Sequence, residues 1–268
     1  MKILFFGDVI GRAGREGLAR ALPRLRAEHA PEFIIVNAEN AAHGKGLTPR
    51  VAEELWSLGI DVLTMGNHTF DRKEIMSIID DPRLLRPANY PVGVLGRGAG
   101  IYTSRKGVAV GVIQVMGRVN MPLSDCPFQA ADREIALMKD KAKVILMDLH
   151  VEATSEKAAL GWHVAGRASA AIGTHTHVQT ADERILPGGT AFLSDAGACG
   201  PRDSVIGMKI ASAIERFRTG LHVPFSVGTG DALVCGCALD IDETTGLAHA
   251  ITRFQELIPL DPVLFEEK

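Results

Sequence analysis

Short, unbroken apolar runs alternating with helix-like stretches are the strongest constraint on how this chain can fold. Lys2-Ile3-Leu4-Phe5-Phe6 shows no polar alternation, the pattern of a strand covered on both faces, and Gly7-Asp8 ends it. Arg15 to His29 is rich in Ala, Leu, Arg and Glu and reads as a helix. A second round follows: Phe33-Ile34-Ile35-Val36, then Asn37-Ala38-Glu39-Asn40, a Gly-rich turn, and a helix from Pro49, which suits a first turn after Thr48. A third runs from Asp61-Val62-Leu63-Thr64-Met65 through Gly66-Asn67-His68 to a helix over Arg72–Ile79, with Asp71 as its cap. Such repetition predicts a mainly parallel sheet, whose ligands gather at the carboxyl ends of the strands.

The rhythm then changes. Residues 81–100 are full of Pro and Gly, and Gly100–Ser104 followed by Val108–Val115 reads as a hairpin. A helix is expected near 129–141, then a strand over Val144–Met147 leading into Asp148-Leu149-His150. Residues 156–171 read as helical in part, broken by Gly161 and Gly166, and Ala170-Ala171-Ile172 leads into Gly173-Thr174-His175-Thr176-His177. The last third reads as a helix at about 205–218 among strands at Thr190–Ser194, Ala232–Ile241 and Ala248–Phe254. This order fits two sheets packed face to face with helices outside each, in one domain spanning residues 1–268.

Composition narrows the partners. Net charge is −3 and no run of like charges occurs, so there is no electrostatic footprint for duplex nucleic acid or an anionic membrane. A small anionic ligand needs a local cation such as a metal ion. No apolar stretch approaches the ~20 residues that span a bilayer, and Asp8 arrives too soon for a signal peptide, so the expected location is cytoplasmic. Cys126, Cys199, Cys235 and Cys237 have neither disulfide-framework density nor zinc-ribbon spacing. Assembly into a homo-oligomer is left open.

The chemistry lies in what ends each run. Asp8, Glu39 with Asn40, Asn67 with His68, His150, and the pair His175 and His177 all follow apolar stretches. A His-x-His alone is also an ordinary structural pair; among threonines, which favour an extended backbone, its imidazoles are expected on one side. Two metal ions a few ångströms apart need a bridging carboxylate, further oxygen donors and neutral imidazoles, with room left for a hydroxide. On this basis Glu39 is the expected bridge, with Asp8, Asn40 and His177 on one metal and Asn67, His150 and His175 on the other. His68 is left over, and an imidazole, with its ordinary pKa near neutrality, suits protonation of a leaving oxygen.

The ordered set Gly7-Asp8, Gly66-Asn67-His68, His150 and Gly173-Thr174-His175-Thr176-His177 resembles the calcineurin-like metallophosphoesterase superfamily. Gly7-Asp8-Val9-Ile10-Gly11-Arg12, Asn37-Ala38-Glu39-Asn40, Gly44-Lys45-Gly46-Leu47-Thr48-Pro49, Gly66-Asn67-His68-Thr69-Phe70-Asp71, Thr174–Thr180 and Asp182 together resemble one branch, the bacterial YmdB-like 2',3'-cyclic-nucleotide phosphodiesterases. The resemblance implies a four-layer α/β/β/α sandwich and a dinuclear metal centre of divalent or trivalent ions, often described with iron. It also implies hydrolysis of cyclic phosphodiesters by a metal-bridging hydroxide, with His68 as general acid. Manganese, zinc or magnesium would suit the same donors. Two positions depart from the superfamily at large: its Asp-x-His is here Asp8-Val9-Ile10, and its bridging Asp is here Glu39, with Asn40 replacing the missing His.

Other readings fare less well. Gly11, Gly14 and Gly17 lack dinucleotide-fingerprint spacing, and Gly44-Lys45-Gly46 lacks both the upstream Gly of a P-loop and its Ser/Thr. A phosphomonoesterase or phosphoprotein phosphatase could use the same centre, since substrate choice lies in rim loops 41–48, 117–128 and 196–207, where Arg12, Arg118 and Arg202 are candidates for phosphate contact. A non-catalytic scaffold held together by its metals would have a filled coordination shell.

Overall fold

The structure, a computed structural model, describes residues 1–261. Its elements in chain order are β1 (Lys2–Val9), α1 (Gly11–His29), β2 (Phe33–Asn37), α2 (Pro49–Ser57), β3 (Val62–Thr64), a short 3-10 helix (Lys73–Ser77), β4 (Leu84–Leu85), β5 (Ala99–Thr103) and β6 (Ala109–Met116). There follow α3 (Pro127–Met138), β7 (Val144–His150), α4 (Thr154–Val164), β8 (Ala170–Thr174), β9 (Arg184–Leu186), β10 (Thr190–Leu193), β11 (Ala198–Pro201), α5 (Ile210–Thr219), β12 (Ala232–Ile241) and β13 (Ala248–Ile258).

The strands form two sheets, one in the order β13-β12-β11-β1-β2-β3-β4 and the other β5-β6-β7-β8-β10-β9. The first three rounds of the chain give parallel neighbours β1, β2 and β3, and β6, β7 and β8 run parallel in the second sheet. Strand alternation sorts side chains into layers. Leu4, Phe6, Ile34, Val36 and Leu63 face Leu18, Leu22 and Leu25 of α1 and Val51 and Leu55 of α2. Ile3, Phe5, Phe33, Ile35 and Val62 face the other way, against Val110, Val112, Val144, Leu146 and Ile172 of the second sheet. The far face of that sheet, with Ile113, Val115, Met147 and Leu149, is covered by Ile135 of α3 and by Leu160 and Val164 of α4. The result is the expected α/β/β/α sandwich. Burying each large aliphatic or aromatic side chain in it is worth about 1.5–3 kcal/mol.

The helix from Pro49 starts as read, with the Thr48 hydroxyl accepting from the Val51 N–H at 3.4 Å. α4 runs through Gly161, whose missing Cβ makes room for the Phe192 ring; a Cβ there would meet that ring at 2.5 Å. The helix expected over 72–79 is only the 3-10 turn Lys73–Ser77, with no side-chain cap, and Asp71 is engaged elsewhere. The late helix starts at Ile210 rather than 205, since Val205 and Met208 form a bridge that Met208 extends to Val227.

Candidate metal centre

The parallel strands of both sheets deliver their carboxyl ends to one place. Asp8 lies near the end of β1, His150 ends β7, and Glu39, Asn40, Asn67, His175 and His177 lie in the turns after β2, β3 and β8. Asp8, Glu39 and His150 are completely buried. Two glycines permit the close approach. A Cβ on Gly66 would stand 2.1 Å from Cδ2 of His150, and one on Gly7 would stand 1.8 Å from the Gly197 carbonyl oxygen.

The donors fall into two groups that meet at Glu39. On one side, Asn40 Nδ2 lies 3.2 Å from His177 Nε2, 3.5 Å from Asp8 Oδ1 and 3.5 Å from Glu39 Oε1, and His177 Nε2 lies 3.6 Å from Asp8 Oδ1. On the other, His150 Nε2 lies 2.9 Å from Glu39 Oε1, 3.0 Å from Asn67 Oδ1 and 3.0 Å from His175 Nδ1. Glu39, His150 and His175 offer ligand atoms all within 4.8 Å of one another, a group able to hold a metal ion. Among the described residues no lysine or arginine forms an ion pair with Asp8 or Glu39. Two buried carboxylates with no lysine or arginine partner among the described residues, faced by imidazoles and amides, make a donor set that fits a cation.

The outer contacts of two imidazoles decide which nitrogen faces inward. His177 Nδ1 meets the Ile206 carbonyl at 2.9 Å, and a carbonyl only accepts, so Nδ1 carries the proton and Nε2 faces Asn40 and Asp8. His175 Nε2 meets Glu152 Oε2 at 3.1 Å, which leaves Nδ1 for the cluster. Burial opposes charge throughout, and the partners answer it. Despite burial, the neighbouring His177 holds the Asp8 carboxyl well below the carboxylate range, and His150 likewise lowers Glu39. Burial would lower His177, but the Asp8 charge lifts it to about 9. His175, desolvated and beside His150, falls to about 4. Behind the site, burial pushes Asp148 up to about 6.

The His-x-His backbone is not the extended strand that its threonines suggest. His175 has φ 94° and His177 φ 63°, both in the region that L-residues seldom adopt. An ion pair clamps the turn. Lys157 Nζ donates to Asp195 Oδ2 at 2.6 Å with both side chains 1% exposed, and the same oxygen accepts from Thr176 N at 3.1 Å and Thr176 Oγ1 at 2.7 Å. Asp195 Oδ1 also accepts from Gly197 N at 2.8 Å. The His175 N–H itself donates to Asp8 Oδ2 at 3.0 Å.

His68 stands beside the cluster. Its backbone N–H donates to Glu39 Oε2 at 3.0 Å, and its Nε2 lies 3.2 Å from Asn67 Nδ2. Nδ1 pairs with Asp71 Oδ2 at 2.9 Å, and Lys45 Nζ meets that same oxygen at 2.7 Å. Against its burial, these two partners lower the Asp71 carboxyl. Of the arginines singled out as phosphate contacts, Arg12 pairs with Glu16 at 2.5 Å, while Arg202 lines a cavity of about 310 Å³ with His177, Ile206 and Ser204. Arg118 donates its backbone N–H to Glu156 at 2.9 Å, which ties down the rim after β6. Glu152 and the Lys157–Asp195 clamp escape sequence reasoning: no local pattern marks them, whereas Asp71 is signalled by its place three residues after His68.

A family model described as "YmdB-like protein" matches residues 4–254. The chain belongs to the YmdB-like family. It is 49% identical over 267 residues to a 2',3'-cyclic-nucleotide 2'-phosphodiesterase of Bacillus subtilis, covering 99% of this chain and 100% of that one. Among solved structures, a hypothetical protein from Thermus thermophilus superposes with TM-score 0.91 at 38% identity, covering 97% of this chain and 100% of the other. A novel phosphatase from Mycoplasma pneumoniae superposes with TM-score 0.90 at 33% identity, covering 100% of this chain and 97% of the other. The sandwich is the calcineurin-like metallophosphoesterase fold, as the YmdB-like residues imply. No helix among the described residues is long and apolar enough to cross a membrane.

Proposed function

We infer that this YmdB-like chain is a metal-dependent phosphoric diester hydrolase that opens cyclic phosphodiesters, 2',3'-cyclic nucleotides foremost. One observation carries the reading: Glu39 is common to two donor groups, with its Oε1 2.9 Å from His150 and 3.5 Å from Asn40, and its Oε2 held by His68 N–H. Asp8, Asn40 and His177 would hold one metal ion and Asn67, His150 and His175 the second, Glu39 being shared; iron is the metal the family resemblance favours. Bound metal ions supply Lewis acidity and an activated water at neutral pH.

The chain's own residues supply positioning and the proton. Asp71 accepts from Nδ1 of His68 and leaves Nε2 as its transferable position beside Asn67. From there His68 protonates the departing ribose oxygen, which as an alkoxide is a poor leaving group. The similarity to the Bacillus subtilis enzyme supports cyclic nucleotides as the substrate class. The same reading takes residues 1–268 as one domain acting in the cytoplasm on a small phosphoester, without duplex nucleic acid or membrane as partner.

The test is elemental analysis for two metal ions per chain, together with a panel of cyclic diesters, linear diesters and monoesters. Diester turnover with cyclic 2',3' nucleotides among the better substrates is expected. Monoesters hydrolysed faster by a wide margin would replace the reading with that of a phosphomonoesterase.

A further inference from the structure

Directly behind the cluster of donor side chains, between the sheets, lies a fully buried carboxylate that the reaction does not use. Asp148, on β7, is completely buried, and among the described residues no lysine or arginine pairs with it. Its partners are the Thr64 hydroxyl, donating to Oδ2 at 2.5 Å, the Thr174 hydroxyl, donating to Oδ1 at 2.7 Å, and Asn37 Nδ2, donating to Oδ2 at 3.1 Å. Thr174 also touches His150: its Oγ1 is 2.9 Å from Nδ1 of that ring. We propose that Asp148 and Thr174 are positioning residues that set the ring tautomer of His150, keeping a proton on Nδ1 and aiming the Nε2 lone pair into the cluster.

The count of donors leads there. An ionised carboxylate can only accept, and a hydroxyl has one hydrogen to give. Thr174 gives that hydrogen to Asp148, so its oxygen can only accept from His150, and the proton between them belongs to Nδ1. Nε2, 2.9 Å from Glu39 Oε1 and 3.0 Å from Asn67 Oδ1, faces acceptor oxygens and is the nitrogen that a bound metal ion would take in place of a proton. Among the described residues Asn37 is the one rival donor to Nδ1, at 3.4 Å. Its amide is oriented by the Glu39 N–H, which donates to Oδ1 at 3.2 Å, and its NH2 makes its shorter contact with Asp148. In this arrangement Asn37 and Thr64 serve to orient the carboxylate. His175 and His177 have their inward nitrogens set by Glu152 and the Ile206 carbonyl; Asp148 acts on the third imidazole through an interposed hydroxyl.

The proposal rests on the metal-site reading, and the experiment separates the two. Zn²⁺ is titrated at pH 8 into the full chain and into Thr174→Val, Thr174→Ser and Asp148→Asn, with a competing chromophoric chelator reporting affinity. Asp148→Asn presents an amide that can donate to Thr174, reversing the relay and placing the proton on Nε2. Thr174→Val and Asp148→Asn are expected to weaken Zn²⁺ binding by about 10- to 100-fold, the usual effect of losing an outer partner of a ligating histidine, while Thr174→Ser binds as the native chain does. In parallel, ¹⁵N-histidine spectra of the Zn²⁺-loaded native chain read the tautomer with no substitution, so misfolding of a variant does not blunt the test. A proton on Nδ1 of His150 is expected. Zinc on Nδ1, or native affinity in both Asp148→Asn and Thr174→Val, would overturn the proposal while leaving the metal site standing. A native chain that takes up no Zn²⁺ would instead sink the metal reading, and this proposal with it.

Discussion

Replacing Lys157 by Met removes the ammonium from the clamp behind the His-x-His turn while nearly conserving side-chain volume, so the cost is electrostatic rather than a cavity. Lys157 and Asp195 are each 1% exposed and 2.6 Å apart. Removing one partner of a buried pair typically costs about 3–5 kcal/mol, because the other charge is left uncompensated. Asp195 would still accept from Thr176 N, Thr176 Oγ1 and Gly197 N, which places Lys157→Met at the low end, about 3 kcal/mol. At about 1.4 kcal/mol per tenfold, that is roughly a hundredfold in the folded-to-unfolded ratio. The assay is urea unfolding, with the midpoint lowered at unchanged slope.

The sign of the pH dependence follows from Asp195. Burial already raises its carboxyl above the usual value while Lys157 opposes, so losing Lys157 raises it further. The folded variant then holds the proton more tightly than the unfolded chain, whose Asp sits near ~3.9. Stability contributed by that proton is present at low pH and lost as pH rises through the folded pKa, so the deficit should be larger at pH 8 than at pH 5. Lys157→Met/Asp195→Asn should recover part of the loss, since no buried charge remains. A deficit below about 1 kcal/mol, or one that grows as pH falls, would refute the buried-charge account.

Three further outcomes are expected. His68→Ala should retain metal yet slow cyclic-nucleotide hydrolysis by ~10²- to 10⁴-fold, and should slow bis-p-nitrophenyl phosphate far less, because p-nitrophenolate departs without a proton; paired rate constants and metal content decide this, and equal losses would assign His68 to ligation or positioning. Gly66→Ala puts a methyl group where the His150 ring lies, 2.1 Å from Cδ2, so metal content should drop while secondary structure by circular dichroism persists. Chelation should lower the melting temperature, since a metal present at 100 times its Kd stabilises the native state by about 2.7 kcal/mol; an unchanged melt after verified metal removal would contradict a site that binds only in the folded chain.

Much of the site is legible in the chain itself. Apolar runs of strand length followed by helix-forming stretches dictate parallel strands, and their shared carboxyl edge is where Asp8, Glu39, Asn40, Asn67, His68, His150, His175 and His177 then meet. Thr48-Pro49 marks its helix start because capping is a local interaction. What local pattern cannot carry is contact between distant segments. Asn37 and Asp148 meet across 111 positions, and Lys157 and Asp195 across 38. Residues Arg72 to Ile79 have helical composition, yet only the 3-10 turn forms, with Asp71 drawn to His68 and Lys45 instead of capping it. Likewise the threonines around His175 and His177 favour extension, but the backbone there is turned to positive φ within contacts to Asp195, Asp8 and Ile206. The sequence by itself therefore determines which side chains gather at the carboxyl edge of the strands. The tertiary structure decides which nitrogen each ring offers, because the partner that holds the other nitrogen lies on a different strand or loop for each of the three imidazoles.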